Sequence, residues 1–174
     1  ITNYANLTNA RDNFLPIVTK IPVTGKVLDE EDIHNAIDAC LDAWLTSGDY
    51  QDKFEKAISN YLSLRHTLMV NSGSSANLLA LTGLKILNNL QDGDEVITCS
   101  VGFPTTINPI IQNGLVPVLI DVDLKTLNIL PDLIENSITN KTKGIVIAHT
   151  LGNPFQLDDI KKICETYNLF LMED

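Results

Sequence analysis

The sequence predicts an α/β fold with a mostly parallel sheet, and three observations carry that expectation. From Thr67 onward, short apolar runs of strand length alternate with longer segments of helical spacing. Two amphipathic helical segments precede this alternation. The chain has 174 residues, 44% of them hydrophobic, which is enough for one core with an N-terminal appendage.

Residues 1–28 show little periodicity, and Pro16, Pro22 and Gly25 suggest an extended arm. The helical segment, 29–66, begins with a crowd of carboxylates, Asp29 to Asp32, where a helix macrodipole favours negative charge. Ile33, Ala36, Ile37, Cys40, Leu41 and Trp44 then mark one helical face, with Gly48 as its expected C-terminal cap. A second face follows with Phe54, Ala57, Ile58, Tyr61 and Leu62. The third region, 67–174, reads as strand "TLMV" and then a helix from Ser75 to Leu90, apolar on nearly every side and so expected to be central. After it come strand "EVITCS", the helical turn "PTTINPIIQNG", strand "VPVLIDVD" and helix "LPDLIENSI", with Pro131 in its first turn. Strand "GIVIAHT", helix "LDDIKKICETY" and strand "LFLMED" complete the series.

A net charge of −10, with its twelve Lys and Arg scattered, argues against nucleic acid or an anionic lipid surface as a partner. No apolar run reaches membrane-spanning length and no signal peptide is evident, so a cytoplasmic location is expected. Cys40, Cys99 and Cys164 are far apart, which argues against a disulfide framework or a metal site and for buried small hydrophobes. The chain lacks an initiator Met and stops on a strand ending in Glu173-Asp174, which reads as a cut inside a longer protein.

Ligands of open α/β sheets gather at the carboxyl ends of the strands. Four features fall there. In "MVNSGSSAN", Gly73 permits close approach, and Ser74 and Ser75 open a helix whose unpaired N–H groups favour an anion; a plain cap by Ser72 or Ser74 explains the same residues. Phe103, after a strand end and a Gly, suits stacking on a planar ring or ordinary core packing. Asp174 ends a strand and suits a cationic ring nitrogen or plain solvation. His149 suits proton transfer, or a structural hydrogen bond. A phosphate cradle, a stacking aromatic and a carboxylate together suit pyridoxal phosphate or its amine form.

The stretches "WLTSGDYQDKFEKAISNYLSLRHTLMVNSGSSANLLAL", "GDEVITCSVGFPTTINPIIQNGLVPVLIDVD" and "KGIVIAHTLGNPFQLDDIKKICETYNLFLMED" closely resemble the DegT/DnrJ/EryC1/StrS sugar aminotransferase family. Within it they resemble the RfbH-like branch of CDP-4-keto-6-deoxyglucose 3-dehydrases, over about Pro22 to Asp174. The resemblance implies an aspartate-aminotransferase-like large domain of the type I pyridoxal phosphate fold, incomplete in this chain, and a homodimer. It implies that Gly73, Ser74 and Ser75 bind the cofactor phosphate, that Phe103 stacks on the ring and that Asp174 faces the pyridine nitrogen. Thr46, Ser47, Gly48 and His149 match the active-site rim.

The resemblance also implies that the catalytic base lies beyond Asp174. It is a histidine in dehydrases, which use pyridoxamine phosphate, and a Schiff-base lysine in aminotransferases. No Lys or His of this chain matches it, so the chain alone is expected to be inactive. Some relatives carry an iron–sulfur cluster on cysteines further along, and some work with a reductase. The readings weighed are therefore a nucleotide-sugar 3-dehydrase, an aminotransferase of the same family, and a non-catalytic phosphate-binding module. The last leaves Phe103 and Asp174 without a shared purpose.

Overall fold

The structure is a computed structural model that describes residues 15–21, 27–44 and 46–174. It divides into two compact units, Ile1–Met69 and Val70–Asp174.

The first unit carries two helices, α1 (Glu30–Leu41) and α2 (Asp49–Tyr61). Asp29 caps α1 in a reciprocal box: its side chain accepts the Asp32 N–H while the Asp32 side chain accepts its own N–H. Three expectations fail here. The face drawn through Trp44 ends at Leu41, because Ala43 takes a left-handed φ of 54° and turns the chain. Gly48 does not close α1; it is the N-cap of α2. The Trp44 indole donates to the Ser47 carbonyl at 2.8 Å, and a Cβ at Gly48 would stand 3.2 Å from Trp44 Cδ1, so that turn favours glycine. Cys40 is exposed rather than buried. Of the expected arm, Pro22 and Gly25 lie outside the described residues, and Leu15–Thr19 form a turn in which the Thr19 N–H donates to the Leu15 carbonyl.

The second unit runs α3 (Gly73–Leu87), β1 (Glu95–Cys99), α4 (Pro104–Gln112), β2 (Val116–Ile120), α5 (Pro131–Asn136), β3 (Thr142–Ile147), a 3-10 turn (Thr150–Gly152), α6 (Leu157–Tyr167) and β4 (Phe170–Glu173). The strands form one parallel sheet in the order β2-β1-β3-β4. Side chains alternate across it. Ile97, Ile145 and Ile147 face a core with Ile134 of α5 and Ile160, Ile163 and Cys164 of α6. Val96, Val146 and Met172 face the other way, toward Leu81 of α3 and Ile110 of α4. Helices thus cover both faces, and the apolar strands reflect that double burial.

Two further expectations are corrected, one at residues 67–70 and one in α3. "TLMV" is not a strand: a strand needs a ladder partner, and residues 67–70 pair with none among the described residues. Helix α3 is not enclosed. It buries Asn77 and Leu81, while Leu79, Ile86 and Leu87 are exposed, because within this chain only one side of the helix meets the sheet.

Candidate functional site

Three chain segments meet at the carboxyl edge of the sheet: the start of α3, the loop from β1 into α4, and the end of β4. Ser72 caps α3, its Oγ accepting the Ser75 N–H at 3.2 Å and its carbonyl accepting the Ala76 N–H at 3.0 Å. The N–H groups of Gly73 and Ser74 donate to no described residue. A Cβ at Gly73 would meet nothing within 4 Å among the described residues, so none of them crowds the approach to those donors. Gly73 is helical, so its value lies in access and not in a left-handed φ.

Phe103 sits at the N-cap of α4, with Pro104 at the first helical position. Proline there pre-sets the helix and keeps the residue before it extended, which turns the Phe103 ring out of the helix. Phe103 is 72% exposed, so packing among the described residues does not account for it.

Asp174 follows directly on β4. Its N–H donates to the Ile147 carbonyl at 3.0 Å, and its carbonyl accepts the His149 N–H at 3.3 Å. The side chain is exposed, and its Oδ2 accepts a 2.5 Å hydrogen bond from the hydroxyl of Thr106, which is buried in the first turn of α4. Oδ1 has no hydrogen-bond partner among the described residues. Buried Asn77 of α3 donates to the Thr105 carbonyl at 3.3 Å, so the start of α3 and the start of α4 are tied together. Burial pushes the Cys99 thiol up, and the nearby negative charge of Asp174 adds a smaller push in the same direction.

His149 lies elsewhere. Alternation along β4 points Glu173 away from the Asp174 face, and His149 Nε2 meets Glu173 Oε2 at 3.0 Å. Its ring stacks on Phe155, centroids 4.2 Å apart and 4° from parallel. Nδ1 is buried without a hydrogen-bond partner among the described residues. Thr46, Ser47 and Gly48 belong to the first unit, where they line an open cleft of about 520 Å³ with Ala39, Asp42 and Trp44.

Sequence reasoning missed Thr106 and Asn77. Each had a signal. Thr106 stands three residues after Phe103, on the same first turn, and Asn77 is a polar residue inside the apolar run of α3.

Residues 27–174 match the DegT/DnrJ/EryC1/StrS aminotransferase family. The chain belongs to that family. The lipopolysaccharide biosynthesis protein RfbH of Salmonella typhimurium is 47% identical over 178 residues, covering 100% of this chain and 41% of that protein. The dTDP-4-dehydro-2,6-dideoxy-D-glucose 3-dehydratase of Saccharopolyspora spinosa is 49% identical over 160 residues, covering 90% of this chain and 35% of that protein. Among solved structures, E. coli GDP-4-keto-6-deoxy-D-mannose-3-dehydratase with bound hydrated PLP matches with a TM-score of 0.80 and 34% identity, over 89% of this chain and 40% of that one. This chain therefore has the fold of the aminotransferase-like sugar enzymes and spans about 40% of the length of the relatives it matches. No helix among the described residues is long and apolar enough to cross a membrane.

Proposed function

We propose that this chain is the N-terminal part of a pyridoxamine- or pyridoxal-phosphate-dependent nucleotide-sugar 3-dehydrase. The substrate would be a CDP-4-keto-6-deoxyhexose that loses its 3-hydroxyl on the way to the dideoxysugars of lipopolysaccharide. The observation that carries this reading is the meeting, at one sheet edge, of helix N–H groups, an exposed aromatic side chain and a carboxylate, with the N–H groups and one carboxylate oxygen lacking partners among the described residues. The match to 3-dehydratases supports it.

The residues present fit such a cofactor. The Gly73 and Ser74 N–H groups, with the Ser74 and Ser75 hydroxyls, would hold its phosphate at the positive end of α3. Phe103 would cover one face of the ring. Asp174 Oδ1 would hold the proton on the pyridine nitrogen, with the charge pair stabilising the protonated ring. When bound, the cofactor supplies the electron sink for bond breaking at the sugar. Thr46, Ser47, Gly48 and His149 would form the rim, with His149 and Glu173 holding the end of β4. The catalytic base, a histidine for dehydration, would come from the polypeptide after Asp174.

In this reading, 1–28 is an arm, 29–66 a helical segment and 67–174 the first part of the large domain. The whole protein would be a cytoplasmic homodimer working with a reductase.

The test uses the full-length protein with pyridoxamine phosphate, reductase and a CDP-4-keto-6-deoxyhexose. Mass spectrometry should find the 3-deoxy product, and Asp174→Ala should abolish turnover. An amino sugar formed with an amino donor would instead make the protein an aminotransferase, and neither product would sink the enzymatic reading. Retained turnover in Asp174→Ala would remove the role given to that carboxylate.

A further inference from the structure

The geometry points to Thr106 as the positioning residue that aims Asp174 at the ring nitrogen, braced from behind by Asn77. The inference rests on the role proposed above for Asp174.

An aspartate one residue past the end of a strand has no intrinsic reason to hold one side-chain direction. Asp174 is exposed, and its ladder bonds to Ile147 and His149 fix the backbone without fixing the carboxylate. Among the described residues the Thr106 hydroxyl is the one group that hydrogen-bonds the carboxylate. Thr106 is well made for that task. It is 2% exposed, and a β-branched side chain is stiff at χ1, so burial of its methyl leaves the hydroxyl little freedom. With Oδ2 engaged at 2.5 Å, the carboxylate plane is set and Oδ1 is left to receive a donor.

The brace extends the argument to the other end of the site. Asn77 is 7% exposed and donates to the carbonyl of Thr105, the residue before Thr106. Asn77 also lies two residues beyond Ser75, on the helix whose start would hold the phosphate. One run of polar contacts, from α3 through Asn77, Thr105 and Thr106 to Asp174, thus fixes the spacing between the phosphate end and the nitrogen end. A rigid ligand of one fixed length is what such a strut would select.

The experiment compares Thr106→Val, Thr106→Ser and Asp174→Asn in the full-length protein. Two readouts are the affinity for pyridoxamine phosphate and the nuclear magnetic resonance signal of its ¹⁵N-enriched pyridine nitrogen. Thr106→Val keeps the shape and removes the hydroxyl. It should weaken cofactor binding about tenfold, the scale of one hydrogen bond to a charged group, and move the nitrogen signal toward its unprotonated position. Thr106→Ser should restore most of both. Should valine disturb the core, Thr106→Ala gives the same comparison, with serine again required to restore. A wild-type nitrogen signal in Thr106→Val, or a serine variant as impaired as valine, overturns the inference and leaves the reading of Asp174 intact. An unchanged signal in Asp174→Asn overturns that reading itself.

Discussion

Helices α1 and α6 are close in length, start with acidic residues and carry one apolar stripe, yet they differ in what the stripe does. In α6, Ile160, Ile163 and Cys164 are buried. In α1 no residue is buried, and Ile37 is 40% exposed. The reason is connectivity. Helix α6 is the crossover between parallel strands β3 and β4, so the chain itself lays its stripe on the sheet. Helix α1 is not a crossover. An amphipathic pattern says which face is ready to be buried; topology supplies the surface that buries it.

The largest test of this comparison is truncation of the two kinds of isoleucine. Ile145→Ala, at a fully buried position between β1 and β4, should cost about 2–5 kcal/mol in urea denaturation. Ile37→Ala should stay within about 0.5 kcal/mol. Equal losses would break the comparison, because α1 would then be buried as firmly as the sheet. A smaller effect is expected at the start of α1. There Asp29→Ala removes the reciprocal cap and should cost about 1 kcal/mol, read as faster amide exchange in the first turn. Unchanged exchange in that turn would remove the role given to the cap.

The smallest effect is electrostatic. The Met69 N–H, and then the Gln51 side chain, donate to Glu55 and hold its carboxyl below its ordinary value of 4.5. A carboxylate whose folded value is depressed contributes fully above its unfolded value, and the contribution fades as pH falls through the folded one. Protection of the Met69 amide should therefore hold above about pH 4.5 and decline under stronger acid, and Glu55→Gln should flatten that profile.

Much of the second unit was legible. Residues 157–167 form the predicted helix end to end, and β1, β2 and β4 fall inside the predicted runs, whereas β3 begins at Thr142, two residues before its predicted run, and ends at Ile147. Strong periodicity and flanking turn residues suffice where the element packs as expected. "TLMV" failed because strand propensity does not create a ladder partner. The exposed side of α3 failed because an apolar helix reports a demand for cover that this chain does not meet. In the candidate site, Gly73 to Ser75, Phe103 and Asp174 stand out in the sequence because each follows a strand end or opens a helix, where ligand chemistry concentrates. Thr106 was not, because a buried threonine in a helix reads as packing until its neighbour across the fold is known.

The sequence by itself determined the order of strands and helices from residue 95 onward, the acidic helix starts and the residues at the strand ends. Those depend on local periodicity and on backbone chemistry within a few residues. Only the tertiary structure decided that Glu173 and Asp174 face opposite sides of the sheet toward His149 and Thr106, and that Asn77 ties α3 to α4. Those contacts join residues 24, 68 and 28 positions apart, and nothing in their local sequence separates a partner at that distance from solvent.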